Sequence, residues 1–200
     1  MLHYNITISR QFGSLGRLIG MRVAELLGIE FYDRDIVEEA AKRLNLSLAE
    51  VSSQEEREKG GFLRMRYPLG SNNTLEVKER LYEVQTKIIL DMAQKSSCVI
   101  VGRCSDFVLR NEENHINFFI YASYEARLSN CVNDLSMKET EAIRMIAEVD
   151  KARDAYHKRY TRFSQKDLKY NHVMIDSSLL GVGGTANMLA AIVKEKFQLK

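Results

Sequence analysis

Short, almost continuous apolar runs alternate along this chain with longer stretches that repeat apolar residues at helical spacing. Tyr4 to Ser9 reads as a short buried strand, and Leu18 to Leu27 carries Ile19, Val23, Leu26 and Leu27 on one helical stripe. Gly28 sits where a helix C-cap belongs, before a second strand-like piece from Ile29 to Tyr32. A helical pattern resumes from Asp35 through Leu44, and Ser47-Leu-Ala-Glu50 reads as a capping box opening a further short helix. From Ser52 to Thr74 the periodicity dissolves into charge, Gly60-Gly61, Pro68, Gly70 and Asn72-Asn73, the pattern of a mobile loop or lid, with a passive surface loop as the alternative. Leu75 to Lys95 is a long amphipathic helix, and Cys98 to Val101 a buried central strand followed by Gly102-Arg103. Ile116 to Tyr121 is another strand, after which Ser123 caps a helix running through Arg127 and Leu128. A capping box at Ser136 to Glu139 opens a helix to about Tyr160, His172 to Ile175 forms the last strand, and Thr185 starts a closing helix.

Apolar strands separated by helices imply βαβ units, hence an α/β fold whose parallel sheet is covered on both faces. Ligands of such sheets bind at the carboxyl ends of the strands. Chemistry is therefore expected at Arg10 to Arg17, Asp33 to Asp35, Gly102 to Arg103, Ala122 to Ser123 and Asp176 to Ser178.

Composition narrows the function classes. The 200 residues, 45% apolar and 28% charged, suit one globular domain. With 29 basic and 27 acidic side chains the net charge is +2, so no overall field points to nucleic acid or to an anionic membrane. The local exception is Lys151 to Lys169, where Lys151, Arg153, Lys158, Arg159, Arg162, Lys166 and Lys169 face only Asp154 and Asp167. Three cysteines without C-x-x-C spacing and four scattered histidines argue against a disulfide framework and a zinc site. No apolar run reaches the roughly 18 to 20 residues of a membrane span, and the N-terminus lacks a basic flank and cleavage site, so a cytoplasmic protein is expected.

The loop after the first strand holds Gly13, Ser14, Leu15, Gly16, Arg17 and Leu18 ahead of a helix. Glycines let backbone N–H groups approach phosphate oxygens, and a helix N-terminus adds its dipole. Against the regular pattern G-x-x-x-x-G-K-[ST], Arg10 stands for the first glycine, Arg17 for the lysine and Leu18 for the hydroxyl. A strand-to-helix turn without ligand and a dinucleotide-binding turn remain alternatives. Asp33 and Asp35 end the second strand, where carboxylates can hold Mg²⁺ and orient an attacking hydroxyl, or cap the next helix. Cations to surround a transferring phosphoryl group come from Arg17, Arg103, Arg127, Arg153, Arg159 and Arg162, with a solvated basic face as the other reading of the later ones.

Taken together, Ile6 to Gly20, Phe31-Tyr-Asp33, Val99 to Arg103, Tyr121 to Arg127, Val149 to Arg153 and Val173 to Ser178 resemble the cytidylate kinase-like proteins, a branch of the P-loop nucleoside monophosphate kinases. The resemblance implies a three-layer P-loop kinase fold with about five parallel strands. It implies a core (residues 1–34, 96–150 and 170–200), a helical acceptor-binding insert (35–95) and a short lid (151–169). It further implies ATP and Mg²⁺ as cofactors and CMP or dCMP as acceptor. Residues Gly13 to Leu18 would hold donor phosphates, with Arg17 standing where the family's lysine stands, and Asp176, Ser177 and Ser178 would border the donor adenine. Asp33 would serve catalysis and, with Asp35, the metal. Arg103 would face the acceptor, Arg153 and Arg159 would act from the lid, and Asp35, Arg127 and Arg162 complete the expected acceptor contacts. The chain departs from the family pattern at Arg10, Arg17, Leu18 and Ile19, and at Glu39 in place of an acceptor arginine. The Phe31-to-Asp35 arrangement also looks like shikimate-kinase-type enzymes, and a nucleotide-binding module without turnover is the alternative from another class. The Leu75 to Lys95 helix could bury a stripe in a homodimer.

Overall fold

The computed structural model describes residues 3–33, 35–45 and 73–199. The Ser47 to Glu50 capping box and residues 52–72 of the expected loop lie outside the described residues. Five strands, β1 (Asn5–Arg10), β2 (Glu30–Tyr32), β3 (Cys98–Val101), β4 (His115–Tyr121) and β5 (Val173–Asp176), form one sheet in the order β2-β3-β1-β4-β5. Every pairing is parallel, with Ile8 opposite Val101 on one side and Phe118 on the other. The described helices are α1 (Gly16–Leu27), α2 (Asp35–Leu44), α3 (Asn73–Lys95), α4 (Ser105–Val108), α5 (Tyr124–Asn133), α6 (Glu139–Thr161) and α7 (Gly181–Phe197), with a 3₁₀ turn at Leu168–Tyr170.

Period-two alternation sends each strand's side chains to two separate cores. Ile6, Ile8, Val99, Val101, Phe118 and Ile120 pack with Ile19 and Val23 of α1 and Leu189 and Val193 of α7. Cys98 and Ile100 face the other way, onto Ile36 and Ala40 of α2 and Leu81, Ile88 and Ile89 of α3. Helices thus cover both faces of the sheet, and the expected insert supplies one of the layers. A small third cluster joins α5 to α6 through Cys131, Ala142 and Ile146, with Phe12 against it.

The second face is polar where β1 and β4 adjoin: Asn5, Thr7, Ser9, His115 and Asn117 are all buried. The Thr7 hydroxyl stands 2.7 Å from His115 Nε2 and 3.3 Å from Asn117 Oδ1. Burial first, then the neighbouring His172, depresses the His115 pKa to about 4. A histidine that resists protonation when folded loses stability as pH falls from its ordinary value toward the depressed one. We therefore expect His115 to account for about 3 kcal/mol of destabilisation between pH 7 and pH 4. Urea unfolding of wild type and His115→Asn at both pH values checks this, because the variant loses that share of the acid sensitivity.

Two expectations change. Ser136 does not cap α6: its φ is 54°, and the helix begins at Glu139 with Lys138 at the cap position. The Met137 N–H instead bonds the Cys131 carbonyl, tying the turn to α5, while the Met137 side chain joins the α5–α6 cluster. Thr185 does not start the closing helix, which begins at Gly181 and leaves Thr185 fully buried in its second turn. As expected, one helix, α6, runs through Lys151 to Thr161, from the core into the basic stretch.

Candidate active site

α1, which follows β1, packs on one face of the sheet, whereas Val108 and Leu109 around the end of α4, which follows β3, pack on the other. Loops leaving adjacent strands in opposite directions open a crevice at their carboxyl ends. Arginines fill it. Arg10 ends β1, and its side chain crosses the sheet edge toward β2. A Cβ on Gly16 would come within 2.7 Å of Arg10 Cβ, and one on Gly102 would overlap the Arg10 guanidinium, so the two glycines leave the corridor this arginine occupies. At its end Arg10 Nη2 lies 3.9 Å from Asp33 Oδ1, and Arg17 Nε donates to Asp33 Oδ2 at 2.6 Å.

Arg153 arrives from α6, donating from Nη1 to the Arg10 carbonyl at 3.3 Å, with its guanidinium 5.9 Å from the Phe12 ring centroid. Arg103 follows β3 in a turn where Gly102, Arg103 and Cys104 have φ of 75°, 59° and 54°. Only the glycine adopts that region freely, so two strained residues stand at the crevice, where strain tends to serve placement of a side chain. The guanidiniums oppose one another. Burial first, then the charge of Arg153, with Arg103 and Arg17 adding to it, presses the Arg10 pKa well below its ordinary value, while Asp33 pulls it back. Burial likewise depresses Arg153, with Arg103 adding to it against Asp150 and Asp33. A guanidinium keeps its proton near neutral pH, so the opposition persists as positive potential that an anion relieves.

The loop is fixed from behind. Asp150 Oδ1 accepts the Phe12 N–H at 2.7 Å, and Arg127 Nη1 donates to Asp150 Oδ2 at 2.6 Å and to the Phe12 carbonyl at 3.3 Å. Gly13, at φ 77°, lies so near α5 that a Cβ there would stand 2.8 Å from the Arg127 carbonyl, and Asn130 Nδ2 bonds the Gly13 carbonyl at 2.9 Å. The buried Ser14 hydroxyl donates to the Gln11 carbonyl at 2.9 Å, and the Ser14 carbonyl accepts from the Ser177 hydroxyl at 2.8 Å. Leu15, at φ 56°, leads into α1 with no side-chain cap on the helix, which leaves the first-turn amides of Gly16, Arg17 and Leu18 without intrahelical partners.

A family model described as cytidylate kinase-like matches residues 5–179, a span that includes all of these groups. The chain belongs to the cytidylate kinase-like family. Among solved structures, an uncharacterized protein from Eubacterium ventriosum ATCC 27560 superposes with a TM-score of 0.73 at 23% identity, covering 97% of this chain and 99% of that one. A gluconokinase from Sinorhizobium meliloti 1021 gives 0.56 at 12% identity over 98% of this chain and 95% of its own. A shikimate kinase from Bacteroides thetaiotaomicron gives 0.52 at 10% identity over 98% and 99%. These likenesses establish the fold of P-loop small-molecule kinases. No curated protein sequence matches the chain significantly.

Within this cytidylate kinase-like chain, Arg17, Asp33, Arg103 and Arg153 converge as the sequence suggested. Arg127 does not reach the crevice, because the buried pair with Asp150 holds it behind the loop. Arg159 pairs with Glu79 of α3 at 2.9 Å, six residues and roughly 9 Å along α6 from Arg153. Arg162 is exposed and ends α6 in a left-handed turn at φ 68°. Asp35 is exposed in the first turn of α2, its Oδ2 3.4 Å from the Asp33 N–H. Asp176 Oδ1 accepts the N–H and hydroxyl of Ser178 at 2.9 and 2.6 Å, closing the turn after β5. Sequence reasoning read Arg10 only as a departure from the phosphate-loop glycine and gave neither it nor Asp150 a role. A charged residue ending an otherwise apolar strand was the available signal for the first, and the second lies in the Val149 to Arg153 motif, whose spacing says nothing of its partner.

The groups placed for magnesium do not fit it. Asp33 faces Arg17 with one oxygen and Arg10 with the other, and Asp35 turns toward a backbone N–H. Among the described residues no group of three His, Cys, Asp or Glu side chains forms a cation site. No described helix is long and apolar enough to cross a membrane.

Proposed function

We propose that this chain transfers a phosphoryl group from ATP to a nucleoside monophosphate, CMP or dCMP. The observation that carries the reading is the gathering of Arg17, Arg103 and Arg153 around Arg10 at the strand ends, with Asp33 the carboxylate that pairs Arg10 and Arg17. Family membership supports ATP as donor and a small molecule as acceptor. Phosphoryl transfer demands positioning and cations more than covalent chemistry. The amides opening α1, with the loop from Gly13 to Leu18, hold the donor phosphates, and Asp176 to Ser178 border the donor base. Arg10, Arg17 and Arg153 neutralise charge on the transferring group, a task the placed residues do not give to a protein-held cation. Arg103 meets the acceptor, and Asp33 fixes Arg10 and Arg17 in register beside it.

ADP release in a coupled assay, with ATP and either CMP, dCMP, shikimate or gluconate, tests this. Stimulation by CMP or dCMP is the expected result. Stimulation by shikimate or gluconate alone would transfer the reading to a small-molecule kinase. ATP binding with no ADP release for any acceptor would make the chain a nucleotide-binding module. Because the arginines supply the charge, we expect EDTA to weaken ATP binding by less than about threefold, as read by titration calorimetry.

A further inference from the structure

One buried contact joins α4 to α6 beneath the arginines. Asp106 Oδ2 lies 2.7 Å from His157 Nε2, and the side chains are only 6% and 4% exposed. The other ring nitrogen, Nδ1, lies 3.0 Å from the Phe163 carbonyl. The Thr161 hydroxyl stands 3.0 Å from Nδ1 but has the His157 carbonyl nearer, at 2.8 Å, to receive its proton. A carbonyl and a carboxylate both accept only, so a doubly protonated ring satisfies both partners, with the Thr161 hydroxyl turned to the His157 carbonyl. The Phe163 ring stands edge-on, 5.0 Å from the imidazole.

On one side of this contact, Asp106 follows the left-handed turn Gly102 to Cys104 that sets Arg103. On the other, His157 stands one helical turn beyond Arg153, on the same side of α6. We propose that Asp106 and protonated His157 form a latch that fixes the spacing of Arg103 and Arg153, making both positioning residues for the anion site. Its functional consequence rests on that site being the one that binds phosphate.

The groups facing His157 are Asp106 from α4, Asp154 from its own helix, and the Thr161 hydroxyl and Phe163 carbonyl beyond. Cys104, Tyr82 of α3 and His115 of β4 in turn feel the Asp106 charge. Burial opposes the charged ring, but the hydrogen bond and charge of Asp106, aided by Phe163 and Asp154, raise its pKa above the ordinary 6.5. The charged contact contributes fully below that ordinary value and loses its charge, and with it part of its hold, as pH rises through the raised one. Losing the proton leaves one facing oxygen opposite a lone pair, while the arginines remain charged.

NMR of ¹³C-labelled protein tests this by following His157 Cε1–H and Arg153 Cδ–H from pH 5.5 to 9.5. We expect the His157 midpoint to lie above 6.5 and the Arg153 signal to move with it. Asp106→Asn should lower both midpoints by about one unit or more. An Arg153 signal that stays flat through the His157 titration, or a His157 midpoint at or below the ordinary value, overturns the latch. Should the variant not fold, the wild-type series decides alone. Neither signal needs nucleotide, so absent ATP binding would overturn the proposed function without obscuring this result. Where ATP binds, a Kd that rises with the same midpoint supports the coupling, and a Kd independent of pH overturns it.

Discussion

Arg10→Met is expected to lower turnover by about 100-fold or more while leaving the melting temperature unchanged or higher. The two effects have one origin. Arg10 fills the corridor between Gly16 and Gly102 with a buried guanidinium, and Arg153, Arg103 and Arg17 oppose its charge. A methionine fills much of that volume without the charge and leaves Asp33 its bond to Arg17. The folded protein thus loses repulsion, whereas the bound anion loses the cation at the centre of the cluster. A melting temperature several degrees lower, with turnover retained, would mean that Arg10 serves the fold rather than the site. Steady-state kinetics and calorimetry on the same preparation separate the outcomes.

Arg127→Met is expected to act through stability instead. The Arg127–Asp150 pair is buried, both side chains being 11% exposed, and it grips the N–H and the carbonyl of Phe12. Removing one member leaves an uncompensated buried carboxylate, a change that costs about 3–5 kcal/mol. For a chain of this size that lowers the melting temperature by about 10 °C. The double variant Arg127→Met/Asp150→Leu should recover part of the loss, because no lone charge remains. Activity should fall with loop geometry in both variants, since the Phe12 carbonyl loses its partner in the single variant and the carbonyl and N–H both lose theirs in the double. A single variant as stable as wild type would show that the loop is held by Asn130 and Ser177 instead.

The strands were legible because a parallel sheet buried on both faces leaves almost continuous apolar runs, as in Cys98 to Val101 and His115 to Tyr121. Turn chemistry was less dependable. Ser136 satisfies the capping-box pattern yet adopts φ 54°, because Met137 is anchored to α5 and fixes the turn before the helix can use the serine. In the candidate site, residues just after strands were found by position alone, which is how Asp33 and Arg103 emerged. Pairing across the chain was invisible: Arg127 meets Asp150 and Arg159 meets Glu79 only once α3, α5 and α6 assemble. Arg10 was read as a missing glycine of the phosphate loop, whereas the structure gives that position a guanidinium with its own corridor. Asp106 and His157 are 51 residues apart, and neither lies in a motif.

The central claim is that Arg10, Arg17, Arg103 and Arg153, gathered around the carboxyl ends of β1 and β3, hold nucleotide phosphates. Calorimetric titration of ATP into wild type, Arg10→Met and Arg22→Ala tests it most directly, Arg22 being an exposed arginine of α1 paired with Glu25. Both substitutions remove one positive charge, so a general field effect would weaken them alike. The account predicts equal Kd for wild type and Arg22→Ala and a Kd weaker by about 100-fold or more for Arg10→Met. Equal affinity in all three proteins would contradict it.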